Sequence, residues 1–236
     1  MLNKLKLNLV LPIYLIFSAF GLTTLIILMF FPPSPTVDIP WRKPIIGALF
    51  TVICILGGFA ATIPRKCSKI FGSHGENRLV AFPTVHSNSY VVKGHHLDCG
   101  KFSSHTITLR GHVLCVACTG LFLGAIAAII GAVAYFFAGL DIEQFGLPSI
   151  AIGIGFIALG FTQFRFSGYV RLLLNAFFVI GAFSILTGAD AFMKNLFIDF
   201  YLLSLMVLWV LTRILLSEWD HSRICRFCTS ECKLDE

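Results

Sequence analysis

Residues 111–138 read GHVLCVACTGLFLGAIAAIIGAVAYFFA, an apolar run that contains no Asp, Glu, Lys or Arg and begins with a Cys-x2-Cys pair. A helix that crosses a bilayer needs about 20 mostly apolar residues, and this run supplies them. The stretch therefore predicts a membrane helix whose entrance carries two cysteines at the spacing of metal ligands.

The rest of the chain has the same character. Its 236 residues are 57% hydrophobic and 13% charged, with a mean hydropathy of +0.86, which is outside the range of soluble domains. Six segments qualify as spans, at roughly 8–31, 44–63, 113–138, 147–164, 169–189 and 196–216. The sequence predicts an all-α polytopic membrane protein with six transmembrane helices and both termini on one side.

The first span is expected to remain attached, because its apolar run is about twice as long as a secretory signal core. Prolines follow it at positions 32, 33 and 35 instead of a small-residue cleavage site. They are expected to end the helix and form a stiff, extended link.

Basic residues predict the orientation. Of the 18 Lys and Arg residues, all but Arg42, Lys43 and Lys194 fall on the side of the termini. Because cytoplasmic loops collect such residues, we expect a multi-pass protein of the cell (inner) membrane with both termini cytoplasmic. The expected parts are an N-terminal two-helix hairpin (1–63), a cytoplasmic Cys/His loop (64–112), a four-helix membrane domain (113–216) and a cytoplasmic Cys-rich tail (217–236).

The net charge is +6, and the charged residues lie mostly near the predicted helix ends. No run of basic and aromatic residues suited to base stacking is present, so no nucleic-acid partner is expected. The expected partners are the lipid bilayer and other membrane or cytoplasmic proteins.

Cysteine and histidine form two sets on the predicted cytoplasmic side. The loop set is Cys99, His105, Cys115 and Cys118, and the tail set is His221, Cys225, Cys228 and Cys232. A reducing compartment disfavours disulfides, so such clusters indicate metal ligands or redox thiols. Each set has the four soft ligands of a closed zinc site. An iron–sulfur cluster is the alternative, and the pairing of ligands between the sets is left open.

The sequence around Arg110-Gly111 predicts a short β-hairpin, since HTITL and HVLC flank a Gly-containing turn. The hairpin would fold Cys99 and His105 towards Cys115 and Cys118. A two-stranded ribbon is marginal in water, and a bound zinc ion contributing about 10–16 kcal/mol would hold it closed.

The third span carries Gly120, Gly124 and Ala128 at every fourth position, a face that favours close helix packing. Cys54, inside the second span, is expected to be a small buried apolar residue.

Other polar residues have two interpretations. Gln163, Arg171 and Asn175 could line a polar pocket beneath the metal loop, or Arg171 could reach the lipid phosphates. Asp190 and Asp199 flank the outer turn, where we expect them to be solvated.

Three functions follow from these patterns. The leading hypothesis is a non-enzymatic interaction or assembly component ordered by zinc. The second is a membrane oxidoreductase that uses an iron–sulfur or dithiol centre to pass electrons to a lipid-soluble acceptor. The third is a zinc-dependent hydrolase in which His95, His96 or Asp98 completes an open site.

The segment 99–188 resembles a family of predicted prokaryotic membrane proteins called domain of unknown function 2085. The matching positions are Cys99, Phe102, Gly111, Cys115, Cys118, Thr119, Gly120, Gly160, Thr162, Gln163 and Arg171. Members tend to have Cys-His-Gln at the first cysteine, whereas Cys99 is followed here by Gly100 and Lys101, and the histidine comes later as His105. The resemblance implies a membrane fold and no particular reaction.

Overall fold

The computed structural model describes residues 2–35, 39–62, 105–109 and 112–226. The helices are α1 (Leu2–Phe30), α2 (Arg42–Thr62), α3 (Val116–Ala132), α4 (Gly146–Phe161), α5 (Gly168–Met193) and α6 (Leu196–Arg226). Strands β1 (Thr106–Leu109) and β2 (His112–Cys115) precede α3, a π-helical turn (Val133–Phe137) continues it, and 3-10 turns lie at Glu143–Phe145 and Gln163–Arg165.

Six helices in the described ranges are long and apolar enough to cross a membrane. Large apolar side chains remain exposed on their outer faces, among them Phe17, Leu56 and Ile130. A surface of this kind suits contact with lipid and not with water. The predicted all-α polytopic architecture is confirmed, while the predicted loop up to residue 104 and the tail from residue 227 lie outside the described residues.

The helix α5 forms the centre of the bundle and packs against α3 and α4. A Cβ atom at Gly120 would lie 2.2 Å from the Leu172 carbonyl oxygen, and one at Gly124 would lie 2.6 Å from that of Ala176. Only glycine allows this approach of backbone to backbone. The small-residue face predicted for the third span is thus confirmed as the contact between α3 and α5.

The turn between α5 and α6 is closed by Lys194 and Asn195. Lys194 adopts a left-handed conformation with φ 47° at the end of α5. The Asn195 Oδ1 atom accepts hydrogen bonds from the backbone N–H groups of Phe197 and Ile198, at 3.0 and 3.4 Å, and so caps α6. The Asn195 Nδ2 atom donates to the Ser34 carbonyl at 2.9 Å, which ties this turn to the segment after α1.

Beside this turn lies the Arg42 cluster, which we define as Arg42, Tyr135, Asp190 and Asp199. The Arg42 Nη1 atom is 2.7 Å from Asp199 Oδ2 and 2.9 Å from Asp190 Oδ1, and the Tyr135 hydroxyl donates to Asp190 Oδ2 at 2.6 Å. Both aspartates have 0% exposure. The prediction that they are solvated is wrong, because Arg42 at the start of α2 reaches between the end of α5 and the start of α6.

The last helix is longer than the predicted span 196–216. The segment 217–226 contains neither Pro nor Gly, and Trp219 packs edge-on against Phe164 with ring centroids 5.9 Å apart. These features allow α6 to continue as a helix to Arg226. As a result, His221 and Cys225 lie on a helix and not in an irregular tail.

Candidate functional site

The predicted β-hairpin is present at one end of the bundle, called here the hairpin end. Its strands are antiparallel, with Thr106 opposite Cys115 and Leu109 opposite His112. This register returns the chain directly into α3 and places His105, the residue before β1, near the start of that helix. Cys99 lies outside the described residues.

Cys115 and Cys118 lie at the N-terminus of α3. Cys115 is the last residue of β2 and the N-cap of the helix, and Cys118 belongs to the first turn. Cys115 is buried and Cys118 is half-buried. The Thr119 hydroxyl donates to the Cys115 carbonyl at 2.8 Å, which fixes the backbone of the pair.

His105 connects the hairpin to α6. Its side chain is buried, its Nε2 atom is 3.2 Å from Asp220 Oδ2, and its ring lies 5.8 Å from the ring of His221, centroid to centroid. One member of the loop set therefore meets one member of the tail set. The extension of α6 beyond residue 216 makes this contact possible.

A polar network continues from Asp220 into the bundle. The Asp220 Oδ2 atom also accepts from Arg171 Nη2 at 3.2 Å. Asn175 Nδ2 donates to the Arg171 carbonyl at 2.6 Å, and Asn175 Oδ1 accepts from Arg213 Nε and Nη2 at 3.1 and 2.7 Å. Arg171 is only 2% exposed, so its side chain does not reach lipid phosphates.

A cavity of about 400 Å³ extends from this network between the helices. Its apolar wall includes Phe50, Ile53, Cys54, Leu121, Ala125, Phe178, Val179, Ala182, Met206 and Trp209. Its polar end, at the hairpin end of the bundle, includes His105, Cys115, Cys118, Arg171, Arg213, Glu218 and His221. The cavity is thus amphiphilic, with the charged side chains and the predicted metal ligands among its lining residues at one end only.

The structure gathers four of the eight predicted metal ligands. His105, Cys115, Cys118 and His221 all line the polar end of the cavity. Cys225 lies on α6, but its side chain is outside the described residues, as are Cys228 and Cys232. Within 2–35, 39–62, 105–109 and 112–226, no group of three or more Cys, His, Asp or Glu residues is arranged to hold a metal ion. A zinc or iron–sulfur site stays a prediction that needs ligands from the remaining segments.

His95, His96 and Asp98 also lie outside the described residues. The expected pocket residues are buried, but they differ in role. Arg171 lines the cavity, and Gln163 is buried in the 3-10 turn after α4. Asn175 contacts both arginines, since it donates to the Arg171 carbonyl and accepts from the Arg213 side chain. Cys54 is a buried residue of the cavity wall, as predicted.

Sequence reasoning missed the roles of Asp220, Arg213 and Trp209. The sequence gives no direct sign that Asp220 is buried, although the absence of Pro and Gly before it favours a helix that continues to this position. Arg213 counted as an orientation residue. Trp209 lies in an apolar run that gave no reason to single it out.

Comparisons with protein-family models, with curated proteins and with solved structures found no match to this chain. The resemblance to domain of unknown function 2085 therefore stays a prediction, and the function has to be inferred from the geometry of the site.

Proposed function

We propose that the chain is a membrane protein whose hairpin and last helix are fastened together by zinc on the predicted cytoplasmic side, and that it acts as a non-enzymatic interaction or assembly component. The proposed ligands are His105, Cys115, Cys118 and His221, with Cys99, Cys225, Cys228 and Cys232 completing one or two sites. The observation that supports the proposal is that three residues of the loop set and one of the tail set, among those described, line one end of one cavity.

The chemistry of the gathered side chains suits zinc. Sulfur and imidazole are the ligand types of tetrahedral zinc sites, and because the described residues alone do not form such a site, Cys99 or the tail cysteines would have to complete it. Because His105 Nε2 lies against the Asp220 carboxylate, Nδ1 is the ring nitrogen that would face a metal. A carboxylate behind a histidine in this way orients the ring of a zinc ligand.

A bound metal would stabilise the short hairpin. Its two strands have four residues each, and an isolated ribbon of this kind is marginally stable at best. A site with four protein ligands leaves no position for water or substrate, so the expected role is structural.

Metal content tests this proposal. Purified wild-type protein is expected to contain at least one zinc ion per chain by mass spectrometry, and the double variant Cys115→Ser/Cys118→Ser is expected to lose zinc and melt at a lower temperature. Cys54→Ala is the matched control, because Cys54 lines the same cavity but belongs to neither set. A double variant with normal zinc content and normal melting would contradict the proposal.

A second function is favoured by the position of Cys115 and Cys118 against an apolar cavity. In a dithiol oxidoreductase, the two thiols would give two electrons and two protons to a lipid-soluble acceptor and form a Cys115–Cys118 disulfide.

The two functions differ in simple measurements. A dithiol enzyme would purify without metal and would lose two titratable thiols when the oxidised acceptor is added, and Cys118→Ser would abolish this loss. An iron–sulfur centre would instead give brown protein under anaerobic conditions.

A further inference from the structure

We propose that the cavity binds the ring of an isoprenoid quinone, a lipid-soluble molecule with a flat, uncharged head and carbonyl oxygens. This proposal goes beyond the zinc-ordered role and does not depend on it, because none of the residues that carry it is a proposed zinc ligand. Three observations carry it: the opening of the cavity, the shape of its wall and the balance of its polar end.

Among the described residues, the cavity reaches the outer surface of the bundle between α2 and α6. Gly57 and Val210 line it and are also exposed on the outside of the bundle, Val210 by 36%. A Cβ atom at Gly57 would meet nothing within 4 Å. Because both helices are long and apolar enough to span a membrane, this opening faces the level of the lipid chains. An occupant would enter from the bilayer and leave its tail there.

The wall is suited to a flat apolar ring. Aromatic side chains from three helices line it, namely Phe50 on α2, Phe178 on α5 and Trp209 on α6. The volume of about 400 Å³ lies in the range of small-molecule sites, which are mostly apolar with a few polar groups that fix orientation.

The polar end selects an uncharged head rich in acceptors. Among the described residues, Arg171 is paired with Asp220 and Arg213 donates to Asn175 Oδ1, so both guanidinium groups are already engaged and an anionic head gains little from them. The Arg171 Nε and Trp209 Nε1 atoms are buried with no hydrogen-bond partner in the described part of the chain. Donors without partners favour a ligand with carbonyl oxygens over another donor.

Binding can be measured in the intact protein with a benzoquinone that carries one isoprene unit. The chain has three tryptophans, so Trp41→Phe/Trp219→Phe leaves Trp209 as the only one. Saturable quenching of its fluorescence by the quinone is expected. Oleate, a single-chain anionic lipid, is expected not to displace the quinone at equal concentration.

Filling the cavity separates specific binding from partition into the detergent micelle. Ala125→Leu places extra methyl groups in the cavity and is expected to weaken binding by about tenfold or more. Ala127→Leu on the exposed side of the same helix is the control and is expected to bind like the parent. Ala182→Leu, from the α5 wall, serves if Ala125→Leu does not fold.

Equal binding by the filled and control variants, no saturable binding by the control, or displacement by oleate would each overturn the proposal. Zinc content measured on the same samples keeps the outcome separate from that of the zinc proposal.

Discussion

Replacing Arg42 with methionine is expected to lower the free energy of unfolding by about 3–5 kcal/mol. One guanidinium lies within 2.9 Å of two carboxylates, and the side chains of Arg42, Asp190 and Asp199 are exposed by 6%, 0% and 0%. Its loss leaves two buried carboxylates without the cation that bridges them, and of the described cations only the half-exposed Lys43 remains near Asp190. Tyr135 still donates to Asp190, but it brings no charge.

Lys43, the neighbouring cation, provides the comparison for the loss of stability expected from Arg42→Met. Lys43 lies 3.9 Å from Asp190 and its side chain is 48% exposed, so water screens the pair and Lys43→Met is expected to cost less than about 1 kcal/mol. The two substitutions remove one positive charge each, from adjacent positions of the same helix. The difference between their effects on the free energy of unfolding therefore reports the burial of the ion pairs and not the removal of a charge as such.

Unfolding in mixed detergent micelles, followed by circular dichroism against the denaturing detergent, gives the comparison. The triple variant Arg42→Met/Asp190→Asn/Asp199→Asn is expected to regain most of the lost stability, since no uncompensated charge stays buried. If Arg42→Met and Lys43→Met unfold alike, or if the triple variant is the least stable, the reasoning about the cluster is refuted.

Two further predictions use the same assay. Gly124→Ala is expected to destabilise the bundle by about 1–3 kcal/mol, because the added methyl group meets the Ala176 carbonyl. Gly155→Ala is the control: a Cβ there meets nothing within 4 Å, so the free energy of unfolding is expected to stay unchanged or to rise by up to about 1 kcal/mol. Equal effects of the two substitutions would contradict the tight α3–α5 contact. Asn195→Ala is expected to cost about 1 kcal/mol through loss of the α6 cap, with Asn195→Ser retaining most of it; an alanine variant as stable as wild type would show that the cap is not needed.

The parts of the fold that depend on local sequence were predictable. Apolar length is enough to locate the six helices, and alternation around a glycine located the hairpin. The Gly120 and Gly124 spacing indicated a packing face because small residues at every fourth position lie on one side of a helix. None of these inferences needs knowledge of a distant residue.

The parts that depend on distant contacts were not predictable. Asp199 is buried only because Arg42, 157 positions earlier in the chain, reaches it, and nothing near Asp199 in the sequence signals this. The contacts that the extended part of α6 makes, with Phe164 and with His105, involve residues of other elements. The cavity requires the relative placement of several helices, so the sequence alone gives neither its volume nor its opening.

The two aspartates of α6 that pair with arginines lie a fixed distance apart along the helix. Asp199 and Asp220 are 21 positions apart on this one helix, about 32 Å at 1.5 Å per residue, close to the roughly 30 Å of a hydrocarbon layer. Arg42 holds the first aspartate and Arg171 the second. In a thicker or thinner bilayer α6 cannot slide along its neighbours without breaking one of these pairs. A bilayer of different thickness is then expected to be accommodated by tilt of the whole bundle or by deformation of the surrounding lipid.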